Sequence, residues 1–329
     1  MLESNFKFAY FTIRLRVLSQ IQLPYFKGAL IRGSFGKLFR RVVCMQKNTD
    51  CPDCICRFKC PYAFIFESPR LENNGLWQAS HEPHPFVFEP PFDDKRSYGP
   101  GEELSLGLLL VGEGIEYLPY FVLVFEDMGK VGIGPRRGRF KVIETVADDL
   151  NSGQTIFHGE ERTFINHIPH IVLADLNHSK EQIKRLKIDF VTPVRLQHRG
   201  KIADAVTFPM LIRAVMRRYS WLSSLYCDTL PDHPYADIVK QSSNIEVSKS
   251  RLSWRDLEHY SYRQKRIIRL GGLVGSIFFE GDLEPYMPLL KLGEYLHIGK
   301  NTVFGLGKYR LLSSSTLQSK KRALNKVNT

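Results

Sequence analysis

A weak internal repeat constrains the fold of this chain more than any other feature of the sequence. In the first half, a strand, a helix, a glycine turn and a second strand are indicated at residues 106–112, 119–128, 129–134 and 139–143. The same order recurs at residues 273–281, 285–297, 299–307 and 308–312. Each helix begins at a Pro-Tyr pair, 119–120 or 285–286, and a Gly-Lys pair follows it at 129–130 or 299–300. The interval between the two pairs is wider in the second copy, which predicts a longer second helix. A duplicated α+β unit explains this pattern.

The residues before each copy extend the repeat. Residues 6–18 alternate apolar and polar side chains as a strand does, and residues 25–43 have helical spacing. Residues 186–196 and 207–226 repeat that strand and helix in the second half. Each half therefore reads as a strand, a helix, further strands, a helix, a glycine turn and a strand. This order indicates the β-α-β-β-α-β arrangement, which predicts an α+β protein with tandem ferredoxin-like (RRM-like) domains.

The expected domains follow from this order. Residues 1–170 form the first ferredoxin-like domain, with a cysteine-rich insertion at 44–60, and residues 171–312 form the second, with a glycine-rich loop. Residues 313–329 are polar and basic, which predicts a disordered tail.

The charge of the chain indicates its class of partner. Lys and Arg number 46 against 34 Asp and Glu, a formal net charge of +12. A surface of this charge attracts a polyanion, for which RNA, DNA and an anionic membrane are candidates. The apolar stretches at 104–111 and 117–125 are too short to span a bilayer, and residues 1–7 do not resemble a secretory signal, so the cytoplasm is the expected compartment. The expected nucleic-acid contacts are Arg32, Arg40, Arg41, Arg136, Arg137, Arg139, Lys141, Arg195 and Arg263.

Five of the six cysteines lie in one short segment. This crowding favours a metal site over a disulfide framework, and four thiolates at short spacing suit a structural zinc ion. An iron–sulfur cluster and free thiols are the alternatives. The expected ligands are Cys44, Cys51, Cys54 and Cys60, with Cys56 in reserve.

A second glycine motif lies near the C-terminus, where Gly299-Lys300 precedes Phe304-Gly305-Leu306-Gly307. It follows a helix and precedes a strand, unlike a P-loop. Gly305, Gly307 and Lys308 are therefore expected to contact an RNA backbone, and the alternative is a turn that only requires positive φ.

Six further motifs are found along the chain: Arg32-Gly33-x-x-Gly36, Cys60-Pro61-Tyr62, residues 85–91, residues 262–265, Gly271-Gly272 and the segment 297–307. Together these motifs resemble the CRISPR repeat-processing endoribonucleases of the RAMP superfamily, in the branch that has an N-terminal cysteine cluster. The resemblance implies metal-independent cleavage of a CRISPR precursor RNA within its repeats. It also implies that the RNA 2′-hydroxyl is the nucleophile, that a 2′,3′-cyclic phosphate is the product, and that no catalytic metal is needed.

Many members of this family have a catalytic histidine on or just after the first helix, but residues 25–43 contain none. His297, beside the glycine loop, is the favoured acid–base residue, with Lys300 for charge stabilisation and Tyr25 as a hydroxyl donor. His84 and His198 are alternates. The histidines in polar, loop-like contexts are assigned no role: His158, His167, His170, His178, His233 and His259. Two alternatives remain: a non-catalytic RAMP protein that binds CRISPR RNA in an effector complex, and a zinc-stabilised RNA-binding protein outside CRISPR.

Overall fold

The computed structural model describes residues 5–67, 83–148, 150, 153–176, 182–198, 200–229, 235–261 and 265–313. Arg263 and the tail 314–329 lie outside these residues. Within the described ranges, no helix has the length and apolar character needed to cross a membrane.

The N-terminal half forms a mixed α/β unit. Its antiparallel sheet has the order β3-β5-β1-β6-β7-β8, with β9 also paired to β1, and β2 pairs with β4. Its helices are α1 (Lys27–Val43) and α2 (Leu118–Val131). Its strands are β1 (Lys7–Val17), β2 (Ile21–Gln22), β3 (Phe86–Glu89), β4 (Ser97–Tyr98), β5 (Glu103–Val111), β6 (Phe140–Asp148), β7 (Gly153–His158), β8 (Thr163–Phe164) and β9 (Ile171–Val172).

The C-terminal half forms a second unit, whose main sheet has the order β13-β16-β10-β17. Two hairpins, β11–β12 and β14–β15, lie outside that sheet. Its helices are α3 (Phe208–Tyr226), α4 (Tyr235–Gln241) and α5 (Met287–Leu296). Its strands are β10 (Arg185–Val194), β11 (Gln197–His198), β12 (Lys201–Ile202), β13 (Glu246–Arg255), β14 (Glu258–Ser261), β15 (Arg266–Arg269), β16 (Gly272–Glu280) and β17 (Tyr309–Ser313).

Both units have the ferredoxin-like topology that the sequence predicts. In each unit, the second, third, first and fourth strands of the β-α-β-β-α-β order are neighbours in the sheet, and all of them are antiparallel. The predicted strands and helices match the observed ones to within a few residues at most ends. The prediction of the fold class is therefore confirmed.

One detail of the predicted repeat is wrong. The second helix of the repeat is shorter, because α2 has 14 residues and α5 has 10. Gly129 and Lys130 lie within α2, whereas Gly299 and Lys300 lie in a turn after α5. The wider interval arises because α5 ends at Leu296, where His297 adopts a positive φ of 59° and leaves the helical path.

The two units pack tightly against each other. The face of the N-terminal sheet opposite its helices contacts α3 and α5: the rings of Phe6 and Tyr219 lie 4.9 Å apart, and those of Phe8 and Tyr295 lie 5.0 Å apart. At the start of α1, Gly28 lies directly against the backbone carbonyl of Phe304, so a Cβ at this position would collide with it. These contacts hold α1, α3 and the loop after α5 in one arrangement.

Candidate nucleic-acid interface

A cleft of about 2500 Å³ lies where the two units meet. Helix α1 forms one wall and α3 forms another, while the loop 299–304 contributes part of the lining. The hairpin β14–β15 and the turn 132–137 also line it. The tandem fold thus brings segments far apart in sequence to one surface.

The α1 side of the cleft is basic. Gly33, Lys37 and Arg40 recur at helical spacing and line the cleft together with Arg32. The guanidinium of Arg32 lies 5.1 Å from the ring centre of Phe66, and that of Arg40 lies 5.7 Å from the ring centre of Tyr62. These cation–π contacts orient two arginines at the surface where a polyanion would bind.

The α3 side includes a buried arginine. Only 9% of Arg218 is exposed, and its Nε donates a hydrogen bond to the carbonyl of Leu296 at 2.5 Å. Its Nη2 has no hydrogen-bond partner among the described residues. Burial lowers the pKa of Arg218 to about 10, so the side chain remains charged at neutral pH. A buried cation of this kind favours an anion in the adjoining cleft.

The cleft-lining side chains that are able to transfer a proton include Tyr25, His84 and His259. The ring of Tyr25 contacts Phe92 at 5.8 Å, and His84 stacks on Phe86 at 5.8 Å with an angle of 13°. His259 is half-buried, and this burial lowers the pKa of its imidazole below the usual 6.5. At neutral pH its imidazole is therefore mostly uncharged, which is the form of a general base.

His259 was overlooked at the level of sequence. It lies two residues from Leu257, which packs in an apolar cluster with Phe26 and Leu306. Because side chains alternate along a strand, His259 faces the same side as Leu257. This alternation is the sequence signal for the placement of His259. It extends over only two side chains, so it can be interpreted only once the hairpin β14–β15 is known.

The other predicted residues are divided between the cleft and other surfaces. Lys300 is exposed in the cleft, and Arg137 lines it as well. Arg195 is half-buried and donates from Nη1 to the carbonyl of Arg269 at 2.6 Å. Four of the predicted nucleic-acid contacts are exposed but are not among the described cleft-lining residues: Arg41, Arg136, Arg139 and Lys141.

His297 lies in a buried ionic cluster, which differs from the expectation that it reaches a bound phosphate. It is 0% exposed, its Nε2 lies 2.7 Å from Glu89 Oε1, and its Nδ1 lies 3.0 Å from the carbonyl of Leu306. Both partners are acceptors, so each ring nitrogen that carries a proton has an acceptor within hydrogen-bond distance. His297 thus joins the end of β3 to the loop after α5.

Glu89 is the centre of this cluster. Its carboxylate also accepts hydrogen bonds from Lys308 Nζ and from the Tyr10 hydroxyl, the latter at 2.9 Å. Burial alone would raise the pKa of Glu89, but the charges and hydrogen bonds of His297 and Lys308 lower it to about 2. Lys308, expected to contact RNA, is therefore paired with a carboxylate across the boundary between the two units.

The glycines of the C-terminal motif form turns in the protein backbone. Gly305 and Gly307 are buried, with φ of 85° and 79°, and a side chain on Gly307 would collide with the carbonyl of Ile298. This geometry differs from the expectation that both glycines contact a phosphate. The exposed part of the motif is the preceding segment, which contains Lys300.

The five clustered cysteines are half-buried around two short helical turns, Cys51–Asp53 and Arg57–Lys59. Burial raises the pKa of the Cys51 thiol, and the nearby Glu67, Cys60 and Cys44 contribute in the same direction. Among the described residues, no three His, Cys, Asp or Glu side chains are arranged as a metal-binding group. Ligation of a zinc ion by Cys44, Cys51, Cys54 and Cys60 stays a prediction.

Comparisons with known families match both halves of the chain. Residues 188–309 match the family described as "CRISPR-associated endoribonuclease Cas6", and residues 6–169 match a family described as "N-terminal domain". An uncharacterized protein of Archaeoglobus fulgidus is 25% identical over 296 residues, which cover 89% of this chain and 94% of that protein.

Solved structures of similar fold include a Cas6 product complex, with a TM-score of 0.56, 13% identity and coverage of 93% of this chain and 99% of the other. Thermus thermophilus Cas6 has a TM-score of 0.54 and 14% identity, with coverage of 94% and 100%. A chain of a partial Cas6-RT-Cas1–Cas2 complex has a TM-score of 0.58 and 13% identity over 95% of this chain. The present chain spans 47% of that longer one.

Proposed function

We propose that this chain is a CRISPR-associated endoribonuclease of the Cas6 family. In this proposal it cleaves CRISPR precursor RNA within its repeats, in the cleft between α1 and α3. The proposal includes a metal-independent reaction. The RNA 2′-oxygen attacks the adjacent phosphorus, the bond to the 5′-oxygen breaks, and the products carry a 2′,3′-cyclic phosphate and a 5′-hydroxyl.

The charge of the cleft is the observation that supports this proposal. Phosphate contacts dominate the affinity of proteins for nucleic acids, and a cleft with an excess of cations suits a single RNA strand. Five acidic side chains line it: Asp50, Asp53, Glu67, Asp256 and Glu258. Eight basic side chains line it: Arg32, Lys37, Arg40, Arg137, Arg217, Arg218, Arg266 and Lys300.

Each step of the reaction has a candidate group in this cleft. His259, with its lowered pKa, is uncharged at neutral pH and accepts the proton of the 2′-hydroxyl. Lys300, exposed on the loop after α5, balances the charge that develops on the phosphorane. The Tyr25 hydroxyl donates a proton to the leaving 5′-oxygen. His84, on the α1 side, is the alternative base.

Single-turnover cleavage of repeat RNA by purified variants tests these roles. General acid–base catalysis contributes about 10²- to 10⁴-fold, so His259→Ala should lower the cleavage rate by that order and leave RNA affinity nearly unchanged. Tyr25→Phe should lower the rate to a smaller extent, and Lys300→Ala should weaken binding as well. His158→Ala, an exposed change outside the described cleft lining, is the control.

Three outcomes would change the proposal. A loss of rate in His84→Ala but not in His259→Ala would assign the role of general base to His84, on the α1 side of the cleft. Unchanged cleavage in all four variants at His84, His259, Tyr25 and Lys300 would place catalysis elsewhere. Specific RNA binding without any cleavage by the wild type would favour the non-catalytic RAMP protein.

The cysteine segment is proposed to hold one structural zinc ion, with no role in the reaction. It is continuous with α1, since the Cys44 backbone N–H donates to the Arg40 carbonyl at 2.9 Å, and it contributes Cys51 to the cleft lining. Four thiolates would complete a tetrahedral site without an open position for water, which is the arrangement of structural zinc. Its effect would be to stabilise the α1 side of the cleft.

A further inference from the structure

Helix α1 contains three glycines, and the structure gives a packing reason for only two of them. Gly28 lies against the backbone of Phe304, where a side chain would collide, and a Cβ on Gly36 would lie 3.3 Å from the Phe66 ring. A Cβ on Gly33 would have no atom of the described residues within 4 Å, outside its own helix turn. Because glycine destabilises a helix interior relative to alanine, its presence at position 33 requires another cause.

The position of Gly33 suggests that cause. It lines the cleft, and Lys37 and Arg40 follow it by four and seven residues on the same face of the helix. The missing side chain leaves a shallow depression in the helix surface, with two cations beside it. An anionic chain that lies in this depression approaches the helix backbone more closely than any side chain would permit.

A second observation indicates a ligand in the same cleft. The buried guanidinium of Arg218, on α3, has an Nη2 without a hydrogen-bond partner among the described residues. Its charge is not balanced by an ion pair within the described part of the chain, and it adjoins the cleft that Gly33 lines. Cations on both helices therefore favour an anion that runs between them.

We propose that the RNA sugar–phosphate backbone crosses α1 in direct contact with Gly33, with Lys37 and Arg40 as its phosphate partners. This inference rests on the proposed function, since it specifies the path of the same RNA. A methyl group at position 33 would displace the strand from the helix surface, lengthening its contacts with the two cations. The effect would increase with the size of the side chain.

The test is a graded series, Gly33→Ala, Gly33→Val and Gly33→Leu. Gly33→Ala should melt at or above the wild-type temperature, because alanine favours the helix. Its affinity for repeat RNA, measured at fixed salt concentration, should fall by about tenfold or more. The Val and Leu variants should bind still more weakly. A gain in stability with a loss of affinity separates ligand contact from damage to the fold.

Val42→Ala is the matched control. Val42 lies in the same helix, nine residues on and therefore on the opposite face, and it is 36% exposed. This variant should bind and cleave RNA as the wild type does. Wild-type affinity of Gly33→Ala and Gly33→Leu, or a lower melting temperature of Gly33→Ala, would overturn the inference. If the wild type does not bind repeat RNA, the proposed function itself fails.

Discussion

The buried cluster around Glu89 allows one prediction to be developed in detail. Substitution of Glu89 by Gln preserves the shape of the side chain but removes the charge that His297 and Lys308 share. Glu89 is 7% exposed at its side chain, and His297 is 0% exposed, so solvent cannot replace the lost partner. The variant therefore leaves the Lys308 ammonium group without its counter-charge and the His297 ring without its carboxylate acceptor at the boundary between the two units.

The magnitude follows from the pKa of Glu89. A decrease from 4.5 to about 2 corresponds to about 3 kcal/mol of stability, since one pKa unit is about 1.4 kcal/mol. Removal of one partner from a buried ion pair has a comparable cost, about 3–5 kcal/mol. Because the folded-state pKa is depressed, this stability is present above about pH 4.5 and is lost as the pH falls toward 2.

Urea denaturation at pH 7, and at intervals down to pH 3, measures both effects. Glu89→Gln should lower the free energy of unfolding by about 3 kcal/mol or more at pH 7. It should also remove part of the loss of stability that the wild type shows below pH 4.5. Glu160→Gln is the control, because Glu160 is 79% exposed and its pair with Lys141 contributes little. A free energy of unfolding of Glu89→Gln within about 0.5 kcal/mol of the wild type would refute this account of the cluster.

Three further predictions concern the cleft and the cysteine segment. Replacing Arg32, Lys37 and Arg40 by Gln in one variant should make the slope of log RNA affinity against log salt concentration shallower. The same change at Arg136, Arg139 and Lys141 should affect this slope less, and equal slopes in the two variants would contradict the assigned path. The cleavage rate should fall as the pH decreases through a value below 6.5, because burial lowers the pKa of His259, and His259→Ala should remove this limb of the pH–rate profile. Elemental analysis should find about one zinc per chain, and Cys51→Ser or Cys54→Ser should lower both the zinc content and the melting temperature; a metal-free protein of full stability would exclude the site.

Much of the fold can be predicted from this sequence, because the strands and helices are amphipathic in the usual way. The apolar residues of α1 include Ile31, Phe35 and Leu38, all of which are buried on the sheet. The repeat itself locates both units. The prediction that the two Gly-Lys pairs occupy equivalent turns is wrong. Local sequence does not reveal that α2 continues past Gly129 while α5 ends at Leu296.

The site is harder to predict, because contacts distant in sequence determine it. His297 was favoured for its place beside a glycine loop, but its partner Glu89 is 208 residues away, and only the folded chain shows that both are buried. His259 reaches the cleft because the hairpin β14–β15 packs with Phe26 and Leu306. Helical spacing predicts a basic side of α1, and of the three arginines expected there, Arg32 and Arg40 line the cleft whereas Arg41 does not.

The most direct test of the central claim is the chemistry of the cleaved RNA. Repeat RNA is incubated with the purified protein in EDTA, beside the same RNA with a 2′-deoxy substitution at the cut site, and the 3′ ends are analysed by mass spectrometry. We predict one discrete cut, a 2′,3′-cyclic phosphate on the upstream product, and no cleavage of the deoxy substrate. Cleavage of the deoxy substrate at the normal rate, or a 5′-phosphate on the downstream product, would contradict the account.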